Sequence, residues 1–408
     1  MRKVILFTAL LLAGLGLSQV VAHAAPGAHA FTNGVRLLTM AALSFIMIHV
    51  GYEFEIDKSR LRRYGWDYFI AFSAATVPWI FVTLYFVFVM TPRGSWAGWQ
   101  AWQETLLAGR FAAPTSAGVL FTMLAAAGLG ATWVFHKARV LAIFDDLDTV
   151  LLMIPLQMMM VGLVWQLGVV LVIVIAVVAA AYHWLHRLAI PVAWNWVLGY
   201  ALVITLASES VYVVTRAVDP AMGVHLEVLL PAFALGCVMR RHPLDTLQLA
   251  EDLEGPEGRG EAIADSAVSA AFMFLVGLSM PPIFGDSGEE AATLTAAQPM
   301  PGWEMIAGHV LAVTLLSNLG KLAPMFCYRD EATFKERVAV AVAMWPRGEV
   351  GAGILVISLS YGVGGPVITV ALLSLALNLS LTAIFIVIVK RLLAEVPAPE
   401  DRAMRPES

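Results

Sequence analysis

Apolar runs of about twenty residues, separated by short polar stretches, repeat along nearly the whole chain. The first runs from Val4 to Ala22. Further runs cover roughly Phe31–Glu53, Trp66–Met90, Trp102–Leu129, Val140–Met160, Val164–Tyr182 and Trp194–Val214. The remainder are Met222–Met239, Ala264–Pro281, Trp303–Phe326, Val338–Leu359 and Val367–Val389. A helix of about 20 residues, rising 1.5 Å per residue, crosses the ~30 Å hydrocarbon layer of a bilayer. The pattern therefore predicts an all-α polytopic membrane protein with about twelve transmembrane helices, or about eleven if the first is removed.

Basic residues occupy every second connection. Lys58, Arg60, Arg62 and Arg63 form the strongest cluster, followed by Lys137 and Arg139, Arg187, Arg240 and Arg241, then Arg329, Lys335 and Arg337, and finally Lys390 and Arg391. The connection from Phe284 to Gly302 carries Asp286, Glu289 and Glu290 and no basic residue. Lysine and arginine remain on the cytoplasmic side of membrane proteins, so these loops and the C-terminus are assigned to the cytoplasm.

Composition removes the soluble alternative. Of the 408 residues, 60% are hydrophobic and 13% charged, against roughly 25% charged in globular proteins. The net charge of −5 is spread over loops and gives no footprint for nucleic acid. Cys237 and Cys327 close apolar runs, and no His/Cys cluster has metal-ligand spacing. No cofactor is implied.

Residues 1–30 support two readings. Arg2 and Lys3, the run to Ala22 and the small residues around Ala24 have the order of a secretory signal peptide, yet the run is also long enough to be a first transmembrane helix. Beyond it, residues 31–241 form an N-terminal half, 242–261 the longest cytoplasmic loop, and 262–393 a C-terminal half. Residues 394–408, rich in proline and charge, read as a disordered cytoplasmic tail.

Ionisable side chains within spanning segments are expensive and default to functional hypotheses. Asp145, Asp146 and Asp148 lie near the start of Val140–Met160, Lys321 lies late in Trp303–Phe326, and Arg347 and Glu349 lie inside Val338–Leu359. For the aspartates the plain alternative is a solvated helix N-terminus, where the helix dipole favours acidic residues. For Lys321 and Arg347 it is snorkelling or a structural ion pair. The complementary signs favour cation/proton exchange. Neighbouring carboxylates in a low dielectric do not both ionise cheaply, so their protonation is coupled. A bound cation supplies the missing positive charge and displaces protons.

Two helices also carry interruptions. One contains Gly109-Arg110-Phe111-Ala112-Ala113-Pro114-Thr115-Ser116, the other Pro346-Arg347-Gly348-Glu349-Val350-Gly351. Proline removes a backbone donor and breaks the helical ladder. Unwound backbone at membrane depth is tolerated only inside protein or along a cavity. Breaks at corresponding places in two halves are expected of inverted repeats with the ion site between them.

At these residues the chain resembles the monovalent cation:proton antiporter superfamily, of the bacterial sodium/proton exchanger type. Gly51-Tyr52-Glu53-Phe54-Glu55-Ile56-Asp57 resembles a Gly-Leu-Glu-Leu-Asp motif, and Ala113-Pro114-Thr115-Ser116 the element of the first broken helix. Phe144-Asp145-Asp146 resembles the paired aspartates, Lys321 the facing lysine, and Arg347-Gly348-Glu349 the Arg-Gly-Glu of the second broken helix. Gly223-Val224-His225 through Gly236 is similar to the Gly-Ala-Phe-x-x-Gly helix of the dimer-forming domain.

The resemblance implies the sodium/proton antiporter fold, with two broken crossing helices, a mobile core domain and a static dimer domain. It implies a homodimer in the lipid of a bacterial inner membrane, with Na⁺ and H⁺ as cargo and no enzymatic activity; Li⁺ and K⁺ stay open as cations. Asp146 is then the principal cation and proton carboxylate, and Asp145 its partner. Lys321 forms the ion pair, Thr115 and Ser116 lend oxygens, and Arg347 and Glu349 support the crossing. Paired aspartates with the lysine imply electrogenic exchange.

Two residues depart from the pattern. Asp148 lies one turn from Asp145, on the same helix face, where it would add a third carboxylate. Arg110 would either pair with an aspartate or weaken cation binding. Glu209 reads as a second proton group or as a dimer-domain hydrogen-bonding residue, His225 and Glu227 as a pH sensor or an interfacial pair, and His49 as a buried, hydrogen-bonded histidine. The rival functions are a sodium-coupled organic-anion symporter, which has no evident use for paired aspartates facing a lysine, and a non-transporting ion or pH sensor.

Overall fold

A computed structural model describes residues 2–24, 29–53, 61–116, 132–161, 187–218, 228–240, 256–280 and 293–394, with isolated positions between 117 and 130 and between 176 and 184. The run Val164–Tyr182, the motif residues 54–57, the basic residues Lys58 and Arg60, His225 with Glu227, the stretch 241–255 and the tail 395–408 lie wholly or almost wholly outside the described residues.

Twelve helices are defined among the described residues. They are α1 (Arg2–Ala24), α2 (His29–Glu53), α3 (Leu61–Tyr85), α4 (Trp99–Gly109), α5 (Trp133–Val161) and α6 (Trp194–Val218). Then follow α7 (Leu229–Val238), α8 (Pro256–Leu278), α9 (Trp303–Gly320), α10 (Phe334–Ala343), α11 (Glu349–Ser360) and α12 (Gly365–Ala394). One turn of π-helix, Phe86–Met90, extends α3. No strand is present among the described residues.

The segments 31–52, 65–90, 303–326 and 365–394 are long and apolar enough to cross a membrane as single helices. Others are divided, and the two divisions coincide with the interruptions in the sequence. α4 ends at Gly109, the 3₁₀ turn Arg110–Ala112 follows, and the backbone is irregular through Ser116. α10 ends at Ala343, residues 345–348 are non-helical, and α11 starts at Glu349.

Two corrections concern helix starts. α5 begins at Trp133, seven residues before the predicted Val140, so Asp145 stands three turns into the helix and fully buried. The solvated N-terminus reading of the aspartates therefore falls. Thr132 explains the earlier start, because its hydroxyl oxygen accepts the Phe135 N–H at 3.2 Å as an N-cap. Likewise α8 begins at Pro256, within the predicted cytoplasmic loop; proline is well suited to a first helical turn.

The packing pairs α1 with α8 and α2 with α7, while α3 lies against α9. Each of the first two pairs crosses on reciprocal glycines. A Cβ on Gly14 would overlap the Phe274 carbonyl, and one on Gly277 the Leu11 carbonyl. On the other crossing, Gly51 meets the Phe233 carbonyl and Gly236 the Ile48 carbonyl. Small residues allow such backbone approach where lipid supplies no hydrophobic drive between helices. If α1 to α5 form one repeat and the helices from α7 onward the other, these two crossings are equivalent under inversion. The broken helices α4 and α10–α11 then also correspond, as inverted repeats require.

Candidate functional site

The two breaks meet in the interior. Ser116 N–H donates to the Pro346 carbonyl at 2.9 Å, and Thr115 Oγ1 lies 3.1 Å from the Met344 carbonyl. Each break thus supplies partners that the other lost with its helical ladder. Gly348 is needed here because a Cβ would overlap the Ser116 hydroxyl.

Charged side chains cap the free helix ends. Arg347 donates from Nη1 to the Met344 and Trp345 carbonyls at 3.1 Å each, and from Nη2 to the Ser317 carbonyl at 3.1 Å. It therefore sits on the C-terminal end of α10, where a cation opposes the negative end of the helix dipole. Glu349 opens α11 at the opposite, positive end, and its Oε2 accepts the Ser116 hydroxyl at 2.7 Å. Both side chains are buried.

Asp145 faces this crossing from α5. Its Oδ2 accepts the Thr115 N–H at 3.0 Å and the Thr115 hydroxyl at 2.8 Å. The same oxygen is in a hydrogen-bonded ion pair with Lys321 Nζ. Lys321 Nζ also donates to Thr115 Oγ1 at 3.0 Å. Lys321 lies just beyond α9, where the chain leaves the helix before the 3₁₀ turn Ala323–Phe326. Asp145 and Lys321 are each 0% exposed. Asp146 is the next residue of α5, equally buried, and interacts electrostatically with Lys321. Four chain segments distant in sequence thus converge on one buried cluster of opposite charges.

The two unusual residues form a pair of their own. Arg110 Nη2 lies 2.9 Å from Asp148 Oδ2, and both side chains are buried. Asp148 is accordingly engaged by a guanidinium beside the Asp145–Lys321 pair.

The remaining candidates lie elsewhere. Glu209 of α6 forms an ion pair at 2.5 Å with Arg36 of α2, each side chain about a quarter exposed. His49 Nδ1 is 3.0 Å from the Phe45 carbonyl, and the ring is only partly buried.

Three polar groups were missed by the sequence reading. Glu104, inside α4, accepts the backbone N–H groups of Leu294 and Thr295 at 2.9 and 2.7 Å. Asp67 accepts from Lys137 Nζ at 2.8 Å and from the Tyr328 hydroxyl at 2.6 Å, and Lys137 also reaches Glu331 at 3.3 Å. Tyr85 OH lies 2.8 Å from His309 Nδ1. Glu104 was accessible to the rule applied to Lys321, a lone charge in an apolar segment. Tyr328 carried no signal, being an uncharged residue in a basic loop.

Comparison with known proteins agrees with this architecture. The family model described as "Sodium/hydrogen exchanger, transmembrane" matches residues 2–395. Among solved structures, the sodium proton antiporter MjNhaP1 from Methanocaldococcus jannaschii, determined at pH 8, is similar with a TM-score of 0.55. The match is 15% identical in sequence and covers 92% of each chain. No curated protein shows significant sequence similarity.

Proposed function

The chain belongs to the transmembrane sodium/hydrogen exchanger family, and on that premise we propose that it exchanges sodium for protons at the Asp145–Asp146 site by alternating access. Its membership makes it a multi-pass membrane cation:proton antiporter; the choice of cation, the site and the access cycle are our reading. The observation that carries it is the buried ion pair between Asp145 and Lys321, with Asp146 next along the same helix.

The cluster performs exchange by charge balance. With Lys321 protonated, Asp145 is compensated and Asp146 remains the carboxylate at which an incoming cation is best stabilised. A sodium ion between the carboxylates takes over the counter-charge, which weakens the hold of Asp145 on the lysine and releases protons. When the cation leaves, protons return and the ion pair re-forms. Asp146, protonated while the site is empty, and Lys321 each give up a proton for the single cation charge gained, so the exchange is electrogenic. Thr115 keeps Asp145 aimed at the crossing throughout, and Arg347 and Glu349 hold the broken ends in place.

We place the protein, by the same reading, in a bacterial inner membrane as a homodimer with its C-terminus in the cytoplasm. The apolar residues that α6 exposes, among them Val203, Leu206 and Val213, suit a lipid or subunit contact.

The test is proton movement in proteoliposomes on addition of Na⁺, Li⁺ or K⁺. Wild type is expected to answer Na⁺ most strongly, with a flux that follows a clamped membrane potential. Asp146→Asn is expected to abolish it. Wild-type flux that survives this substitution unchanged would remove Asp146 from the mechanism.

A further inference from the structure

Arg110 stands where the first broken helix leaves α4, in the 3₁₀ turn Arg110–Ala112. Its guanidinium meets Asp148 at 2.9 Å and lies over the Trp79 indole, 4.8 Å from the ring centroid. The indole is itself fixed by a 2.8 Å hydrogen bond from Nε1 to the Leu106 carbonyl. The cation is thereby held by an aromatic face and a carboxylate, with no exposure to solvent.

Such a pair is not a packing requirement. Well-packed apolar residues of similar volume often replace a buried ion pair without loss of stability, whereas removing one partner alone leaves a costly buried charge. The other charged or titratable groups that face Arg110 and Asp148 are Tyr68 from α3, Asp145 one turn back on α5, and Lys321 after α9. The pair therefore stands in the electrostatic field of the Asp145–Lys321 pair and within a turn of Asp146. Asp148 projects from the helix face that carries Asp145, so without Arg110 it would be a third carboxylate available to a cation.

We propose that Arg110 is a positioning residue that holds Asp148 out of the cation-binding set and supplies a fixed counter-charge, so that the Arg110–Asp148 pair sets the cation affinity of the Asp145–Asp146 site. This rests on the antiport reading above. It predicts opposite effects from removing the two partners. Asp148→Asn leaves an uncompensated guanidinium that repels the incoming cation. Arg110→Gln leaves an uncompensated carboxylate that attracts it and slows its release. The double substitution restores the balance.

The experiment measures, at alkaline pH, the Na⁺ concentration giving half-maximal flux in proteoliposomes and half-maximal thermal stabilisation of the purified protein. Asp148→Asn is expected to raise both midpoints roughly tenfold, the scale of one added charge at close range in a partly screened interior. Arg110→Gln should lower both and reduce the maximal flux, and Arg110→Gln/Asp148→Asn should return to within about threefold of wild type. Equal elevation in Asp148→Asn and in the double variant would identify Asp148 as a direct cation ligand and overturn the proposal. Loss of maximal flux with unmoved midpoints would reduce the pair to a structural role and overturn it too. If Asp148→Asn does not fold, Arg110→Lys decides: it keeps the charge and should leave the midpoints near wild type, while Arg110→Gln shifts them. Absence of flux in wild type would defeat the antiport reading instead, and the thermal titration would still report the effect of the pair on cation affinity.

Discussion

Thr115 shows how much of the site depends on one side chain. Its N–H and its hydroxyl both reach the same oxygen of Asp145, while its hydroxyl oxygen accepts from Lys321. The ion pair is therefore a three-membered arrangement, with the hydroxyl fixing the angle between carboxylate and ammonium. Thr115→Val keeps the shape and the N–H bond but removes the hydroxyl. Hydrogen bonds to charged groups contribute about 1.5–3 kcal/mol, so a tenfold or greater loss of Na⁺-driven flux is expected. Thr115→Ser, which keeps the hydroxyl, should retain most of it. Comparing initial rates of the two variants in proteoliposomes checks this, and equal activity of Val and Ser would exclude the hydroxyl from the site. At this scale the sequence was informative where charge was expensive: Asp145, Asp146, Lys321, Arg347 and Glu349 were each visible as charges in apolar surroundings. What it left open was which aspartate each cation takes. Spacing along α5 places Asp148 on the face of Asp145, but its partner Arg110 comes from another helix, and helical periodicity carries no information between helices.

At the scale of elements, the apolar runs located the helices well because hydrocarbon thickness fixes their length. The boundaries failed most at two polar starts, Trp133 and Pro256, and by four or five residues at Phe334 and Leu61, where a helix extends past the apolar run into residues that hydropathy assigns to loops. The extension of α5 matters functionally, since it converts the aspartates from an exposed end to a buried middle. Reciprocal glycines also escaped the reading: a glycine in an apolar helix is common, and only its partner helix shows why it is required. The crossings of α1 with α8 and of α2 with α7 bring backbone against backbone at Gly14 and Gly236. Gly14→Leu or Gly236→Leu must separate the helices or distort them. Overpacking costs about 1–3 kcal/mol, so each variant should unfold at a lower temperature in detergent than wild type. Gly16, with no atom near its Cβ position, serves as the control and should tolerate the same change.

For the whole molecule, three levels of contact join the N-terminal half to the C-terminal half. Glu104 ties α4 to residues 294–295, Asp145 meets Lys321, and Asp67 and Lys137 meet Tyr328 and Glu331. The cluster around Asp67 is closely built. The Lys137 ammonium lies 4.5 Å from the Tyr328 ring centroid, and Trp133 packs edge-on against the same ring. Tyr328 is also the one non-glycine residue with positive φ, 55°, among the described residues, so its contacts hold a backbone conformation that few side chains adopt. Burial, reinforced by the hydrogen bond to Asp67, pushes the Tyr328 phenol above its usual 10.0. The sign of the resulting pH dependence follows from linkage. A phenol whose proton is held more tightly in the folded state stabilises the fold below about pH 10, and that contribution is lost progressively as pH rises above it. The thermal unfolding temperature of wild type should therefore fall as pH rises through about 10. Tyr328→Phe should lower the unfolding temperature at neutral pH by removing the hydrogen bond to Asp67, and should fall less steeply in the alkaline range. If the two proteins lose stability in parallel there, the hydroxyl is not what binds the two halves at this face. A difference at neutral pH that closes in the alkaline range would give the protonated phenol as the element that holds this contact together. Any motion that separates these segments must break that hydrogen bond together with the Lys137–Asp67 pair, because Tyr328 and Lys137 share Asp67 Oδ1.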